Sequence, residues 1–254
     1  MKTKDEISKF YDKFNDRLLK DYVYGNLRVQ KQLSFFQTLI NRSGLNILVV
    51  GCGIGDVTFE LAKNRSKPDK VLGVDISSKN INLACRLFAN DNLEYRRCDI
   101  ISENLEDGWD LILFPDVYEH IPTDLRSKLH YQLKGLLKPE GIVALTCPTV
   151  QHQNYLRERG EGLQVVDEDV TVRDLDVLAS DLNGYITSYA HVRFPRAPHQ
   201  YFHATIARIG SVQRDRSKYP IERMSISKRI VSRVQRKVCQ MVRKRRIDRI
   251  GISL

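Results

Sequence analysis

A glycine-rich turn between an apolar run and a helical segment is the feature that most constrains the fold of this 254-residue chain. Residues 45–50 (LNILVV) are short and apolar, as expected for a buried parallel strand that ends at glycine. Gly51, Gly53 and Gly55 follow directly, and the absence of side chains lets the backbone turn tightly and approach a ligand closely. Cys52, inside this turn, is interpreted as a small residue with a structural role.

Strand and helix patterns alternate after the glycine turn. Helices are predicted at 56–64, 78–89 and 123–136, and strands at 45–50, 70–74, 93–97, 111–114 and 142–146. Such alternation indicates a parallel sheet with right-handed crossovers. We therefore predict an α/β fold, Rossmann-like and doubly wound, whose seven-stranded sheet is mostly parallel. An antiparallel terminal hairpin, N-terminal helices and a basic C-terminal helix complete this prediction.

The flanking segments have weaker patterns. Two amphipathic helices are predicted before the turn, and after Pro148 we predict a long functional loop or lid, a helix and two strands joined by a proline-containing link. In chain order these segments are 4–20 and 26–41, the loop 151–170, the helix 171–182, and the strands 185–194 and 201–209 with the link 195–200. The late strands form the predicted hairpin.

A carboxylate ends the second predicted strand. Asp75 closes the segment VLGVD, 24 residues after Gly51, near the separation of about 20 typical of a ribose-binding acid. The dinucleotide fingerprint GxGxxG would need a third glycine at a position that Asp56 occupies. The spacing therefore predicts a nucleotide-type site that lacks the dinucleotide fingerprint.

Five segments, in order, resemble the motifs of class I methyltransferases that use S-adenosylmethionine: VVGCGIG, VLGVDIS, YRRCDI, WDLILFPDVYEHI and LLKPEGIVAL. The resemblance covers residues 45–148 well and implies S-adenosylmethionine as the cofactor. It places the acid of the second motif on the ribose hydroxyls and the acid of the third motif at the adenine amino group. The implied cofactor-binding residues are Gly51, Cys52, Gly53, Gly55, Asp75, Ile76, Asp99, Ile100 and, on an N-terminal flap helix, Tyr11. For Tyr11, packing in the core of its own helix is the alternative.

The fourth motif contains the candidate catalytic residue, His120. If the acceptor is a hydroxyl, an imidazole suits the removal of its proton because it titrates near neutrality. Packing beneath the cofactor is the alternative role. Asp116, Glu119 and His120 also resemble the acid-acid-histidine cluster with which some methyltransferases hold a divalent metal. Because Asp replaces their first Glu and no fourth ligand is identifiable, no metal is assigned.

The positive charge lies at the C-terminal end. Residues 221–254 contain eleven Lys or Arg against two acidic residues, a net charge of +9 out of the +10 of the whole chain. Apolar residues recur every four positions from Ile226 to Val242, which predicts a basic amphipathic helix. Such a helix could lie on an anionic membrane, bind an acidic partner, contact nucleic acid or dock on its own domain. Nucleic acid is less favoured, because no aromatic residue follows Tyr219.

Three regions are predicted: a helical flap or cap at 1–44, the cofactor-binding methyltransferase domain at 45–210 and the basic helix at 221–254. The five cysteines are scattered without a CxxC pair, which indicates a reduced chain with neither disulfides nor a cysteine zinc site. The charged segment MKTKDEISKF does not resemble a signal peptide, and no apolar run reaches about 18 residues. We expect a cytoplasmic protein, peripheral at a membrane if the tail binds one.

These observations predict an enzyme that transfers a methyl group from S-adenosylmethionine to a small-molecule or glycan acceptor, at oxygen. One alternative is an RNA methyltransferase that uses the basic tail as an electrostatic arm. The other is a non-catalytic scaffold that keeps the fold.

Overall fold

The computed structural model describes residues 15–160, 164, 166–194, 197–209, 237 and 239–252, with the side chains of 197–199 left aside. Its helices are α1 (Asn15–Tyr24), α2 (Leu27–Leu39), α3 (Asp56–Ala62), α4 (Ser78–Leu87), α5 (Arg126–Leu136), α6 (Val150–Arg159), α7 (Val172–Asp181) and the C-terminal helix α8 (239–248). Its strands are β1 (Asn46–Val50), β2 (Lys70–Asp75), β3 (Leu93–Arg97), β4 (Trp109–Pro115), β5 (Leu137–Pro148), β6 (Gly184–Phe194) and β7 (Ala197–Arg208). Tyr11 lies outside the described residues.

The seven strands form one sheet in the order β3-β2-β1-β4-β5-β7-β6. The strands from β3 to β5 are parallel, whereas β7 is antiparallel to both β5 and β6. The predicted α/β fold, with a mostly parallel sheet and an antiparallel terminal hairpin, is confirmed. The strand order reverses between β1 and β4, so the crevice beyond their carboxyl ends is where such sheets bind ligands.

Both faces of the sheet are buried, which is why its central strands are almost entirely apolar. Side chains alternate along each strand: Leu48 and Ile112 belong to the core on one face, and Ile47 and Leu111 belong to the core on the other. The first core packs against α5 and α7, and the second against α2 and α3. A third cluster joins α1, α3, α4 and Ile247 of α8.

Two predictions for the region after Pro148 are wrong. The first part of the expected loop forms helix α6 instead. The Thr149 side chain caps this helix by accepting a hydrogen bond from the His152 N–H, and Gly160 ends it in a left-handed conformation. The expected link is also shorter, since β7 already begins at Ala197. Residues 197–200 extend past the last β5 pair, Pro148 with Tyr201, so a proline there breaks no hydrogen bond to β5.

Within the described part of the chain, no helix is both long and apolar enough to cross a membrane. The cysteines at 52, 85, 98, 147 and 239 are free thiols.

Candidate donor and acceptor site

The glycine turn adopts backbone conformations that side chains disfavour. Gly51, Gly53 and Gly55 have φ values of +67°, +55° and +87°. A Cβ at Gly51 would lie 2.3 Å from a methyl group of Val117, and a Cβ at Gly55 would lie 2.6 Å from the Tyr95 hydroxyl. At Gly53 the nearest such atom is 3.5 Å away. A side chain at Gly53 would therefore meet only an ordinary van der Waals contact, whereas packing leaves no room for one at Gly51 or Gly55.

Asp75 connects the end of β2 to this turn. One carboxylate oxygen accepts the Gly53 N–H at 2.9 Å, and the other accepts the Ser77 N–H at 2.8 Å and an amide hydrogen of Asn80 at 3.4 Å. The side chain is almost buried, with 8% exposure. A carboxylate has about four lone-pair sites, and these hydrogen bonds occupy three of them. Asp75 thus fixes the glycine turn to the end of β2.

Cys52 has the structural role expected for it. Its Sγ would lie 3.1 Å from a Cβ at Gly73, so the thiol fills the space above that glycine of β2. Burial, reinforced by the charge of Asp75, raises the pKa of the Cys52 thiol well above its ordinary value. The thiol therefore stays neutral and unreactive.

The third motif forms a polar turn beside β3. The Asp99 carboxylate accepts the Ile101 N–H at 3.0 Å and the Ser102 hydroxyl at 2.8 Å, which orders the turn that follows. Ile100 is buried in the core, with 5% exposure, so its side chain supports the site from below. Ile76 is half-buried at the carboxyl end of β2 and offers apolar surface there.

A polar network that the sequence motifs did not predict lies on the other side of the switch point between β1 and β4. Asp116, which follows β4 with a φ of +55°, forms an ion pair with Arg28 of α2 and accepts the Thr146 hydroxyl at 2.7 Å. Gln32 donates to the same hydroxyl at 2.5 Å, and the Arg28 guanidinium lies 5.6 Å from the centre of the Tyr201 ring. These contacts join α2 to the ends of β4, β5 and β7.

His120 lies next to this network in a short 3₁₀ turn, Tyr118–His120. Its Nδ1 lies 2.7 Å from the Val166 carbonyl and 3.2 Å from an Asp167 carboxylate oxygen, so Nδ1 carries a proton and donates it. Burial acts to lower the pKa of His120, but Glu119 and Asp167 outweigh it and leave the pKa above its ordinary value. Nε2 is 3.9 Å from Glu119, whose own pKa burial raises.

Asp116, Glu119 and His120 do not converge on a common point that suits a cation. Asp116 is turned towards Arg28, and His120 towards Asp167. Among the described residues, no group of three or more His, Cys, Asp or Glu side chains has a metal-binding arrangement.

Comparison with known proteins agrees with this geometry. Residues 48–143 match the family described as a methyltransferase domain. The malonyl-[acyl-carrier protein] O-methyltransferase of Acetivibrio thermocellus is 28% identical over 134 residues, 50% of this chain and 45% of that protein. Phosphoethanolamine N-methyltransferase 3 of Arabidopsis thaliana is 26% identical over 185 residues, 63% and 36% of the two chains. This chain thus spans less than half the length of these curated relatives.

Solved structures share the whole fold. Magnesium protoporphyrin IX methyltransferase from Synechocystis PCC 6803 with bound S-adenosylhomocysteine has a TM-score of 0.64 at 18% identity, over 81% of this chain and 100% of that one. An N-methyltransferase from Bradyrhizobium japonicum, also with S-adenosylhomocysteine, has a TM-score of 0.63 at 15% identity, over 81% and 97%. Residues 48–143 therefore match a methyltransferase domain, and the fold is shared with methyltransferases whose structures contain S-adenosylhomocysteine.

Proposed function

We propose that this protein transfers a methyl group from S-adenosylmethionine to the oxygen of a small-molecule or glycan acceptor. One observation carries the proposal: the glycine turn, Asp75 and the His120 turn all lie at the carboxyl edge of the sheet, around the switch between β1 and β4. Binding sites of open α/β sheets lie at this position. The bound cofactor would supply an electrophilic methyl group, and the protein would align it with the acceptor and exclude water.

Each side of the site has a separate task in this proposal. Asp75 accepts the ribose hydroxyls, and the half-buried backbone at Gly53 contacts the amino-acid part of the cofactor. Asp99 and Ile100 border the adenine, together with the half-buried Ile76. Gly51 and Gly55 hold the turn in shape, and Cys52 fills the space beneath it. Tyr11 remains a proposed contact from the N-terminal side, outside the described residues.

His120 is the proposed general base for a hydroxyl acceptor. The contacts of Nδ1 with Val166 and Asp167 orient the ring, and they leave Nε2 as the nitrogen that loses its proton when the imidazole is neutral. Asp167 and Glu119 then stabilise the imidazolium that forms when Nε2 takes the acceptor proton. The same carboxylates raise the pKa of His120, so the neutral base becomes abundant only above the ordinary histidine range.

Buried polar atoms without hydrogen-bond partners support the proposal that the acceptor molecule is polar. Among the described residues, Glu119 Oε2 and both side-chain amide atoms of Gln153 are buried and have no hydrogen-bond partner. Glu119 shares a hydrogen bond with Cys147 near the end of β5, and Gln153 lies one turn into α6, which begins just after that strand. An unsatisfied buried polar atom costs about 1–3 kcal/mol, so acceptor hydroxyls that satisfy these atoms would gain affinity.

The test is mass spectrometry of a cell extract incubated with the protein and a donor that carries an isotope-labelled methyl group. A labelled product whose fragmentation places the methyl on oxygen supports the proposal, whereas label on nitrogen contradicts the oxygen assignment. Binding of S-adenosylhomocysteine without turnover of any extract pool would favour a non-catalytic scaffold. Label recovered in RNA, lost on removal of residues 221–254, would favour the RNA methyltransferase.

We further propose that the outward face of the basic tail contacts an anionic membrane surface. Lys244 and Arg245 are exposed beside Met241 and Val242, whose side chains are 56% and 54% exposed. Cationic and apolar groups on one helix face suit a shallow, salt-sensitive membrane contact. Sedimentation with phosphatidylserine vesicles, but not with neutral vesicles, is the expected result, and equal sedimentation with both would contradict it.

A further inference from the structure

Helix α1 lies beside Gly53, the middle glycine of the turn. The Leu18 side chain contains the atom nearest to the position of a Cβ at Gly53, 3.5 Å away. Leu19 and Val23, on the same helix, are buried against Ile54 of the turn. The position of α1 therefore decides how the backbone at Gly53 is enclosed.

The C-terminal segment 239–252 contacts the backbone of α1 and the one buried tyrosine of that helix, Tyr22. Arg243 donates to the Tyr22 carbonyl at 3.0 Å, and its guanidinium lies 5.2 Å from the centre of the Tyr22 ring. Gln240 donates to the Tyr24 carbonyl at 3.1 Å, and Arg246 donates to the Tyr22 hydroxyl at 3.2 Å. Two of the carbonyls at the end of α1, which a helix leaves unpaired, thus find their donors on α8.

The same segment also contacts the two helices that border the donor site. The Arg246 guanidinium lies 4.9 Å from the ring centre of Phe59 on α3 and 5.3 Å from that of Phe88, which follows α4. Ile247 is fully buried among these helices, with 0% exposure. Helix α3 begins directly after the glycine turn, and α4 begins three residues after Asp75. Arg246 therefore contacts α1, α3 and the residue that ends α4.

We infer that residues 239–252 position the donor site, with Arg246 as a positioning residue that acts through Tyr22, Phe59 and Phe88. This inference rests on the proposed function, since it concerns the affinity for the cofactor. Arg246 acts through these three aromatic residues, and its role is to keep α1 packed against α3 and the end of α4. A cation over two aromatic faces, partly removed from water, contributes more than an exposed one. Loss of the guanidinium should therefore loosen α1 before it unfolds the sheet.

The experiment compares full-length variants. Arg246→Met keeps the length and apolar stem of the side chain, Arg246→Lys keeps the charge, and Tyr22→Phe removes the hydroxyl that Arg246 binds. Arg245→Met is the matched control, because it removes the same charge from the adjacent, exposed position. The dissociation constant of S-adenosylhomocysteine is measured by calorimetry, and hydrogen exchange is followed in peptides that cover 15–24.

We expect Arg246→Met to raise this dissociation constant about tenfold and to speed exchange across α1, with the control unchanged. Arg246→Lys should restore part of the affinity, and Tyr22→Phe should give a smaller loss. In turnover, the KM for the donor should rise while kcat at saturating donor is retained. A lowered melting temperature with unchanged affinity and unchanged exchange in α1 would overturn the inference. If the wild-type chain does not bind S-adenosylhomocysteine, the proposed function itself fails.

Discussion

The carboxylate of Asp75 provides the sharpest test of the donor site. Replacing it in Asp75→Asn keeps the shape of the side chain but leaves one acceptor oxygen in place of two. That oxygen cannot serve both the Gly53 and the Ser77 N–H groups, whose present hydrogen bonds are 2.9 and 2.8 Å long. The new amide group must then face one of these donors, so one buried N–H loses its hydrogen bond. This loss lowers the free energy of unfolding by about 1–3 kcal/mol.

The same substitution weakens the hydrogen bonds to the ribose. A hydrogen bond to a charged group contributes about 1.5–3 kcal/mol, and at least one such bond is lost. The dissociation constant should therefore rise about ten- to a hundredfold. The misdirected amide lowers the stability of the fold instead, because it is present with and without the cofactor. Calorimetry with S-adenosylhomocysteine measures the dissociation constant, and circular dichroism verifies that the variant is folded. Asp107→Asn, an exposed change of the same charge, is the control. A dissociation constant within threefold of wild type would refute the placement of the ribose at Asp75.

Three further outcomes are expected. Gly53→Ala should fold, with about 1–2 kcal/mol of backbone strain, but lose cofactor affinity, whereas Gly51→Ala should lower the melting temperature because its Cβ would meet Val117 at 2.3 Å. His130→Ala should destabilise the fold by about 2–4 kcal/mol without changing cofactor affinity, since it removes the buried partner 2.8 Å from the Tyr118 hydroxyl; lost affinity in a folded variant would contradict this. If His120 is the base, kcat/KM should rise with pH and level off above pH 6.5, because its pKa is raised and only the neutral ring accepts a proton, and His120→Gln should flatten this profile.

The fold could be predicted because its determinants are local. The central strands are mostly apolar runs, and several turns contain glycine or a capping residue, so the order of the elements could be predicted without tertiary contacts. Helix α6 was missed because it is polar almost throughout, and only Gln153 among its residues is buried. Hydrophobic periodicity carries no signal for such a helix. Its cap at Thr149 was the available signal.

The proximity of the glycine turn and Asp75 could be predicted for the same reason, since both belong to one βαβ unit. The network at Asp116 could not. Gln32 bonds with Thr146 across 114 residues of sequence, and Arg28 meets Asp116 across a similar separation. No spacing rule connects such residues, because the topology alone brings α2 beside the ends of β4 and β5. A network that is assembled in this long-range way has no local sequence signal.

The basic residues of helix α8 face two different surfaces: some contact the rest of the protein, and others are exposed. The recurring isoleucines and valines predicted one apolar face, yet Met241 and Val242 are exposed while Ile247 is buried. The inner surface instead uses Arg243 and Arg246, whose guanidinium groups lie on aromatic rings and reach backbone carbonyls. A guanidinium can pack against an aromatic face and keep its hydrogen bonds, so it serves an internal contact that an ammonium serves less well. Within residues 239–252, the net charge therefore overstates what is offered to a partner: Arg243 and Arg246 face α1 and the aromatic rings, whereas Lys244 and Arg245 are exposed.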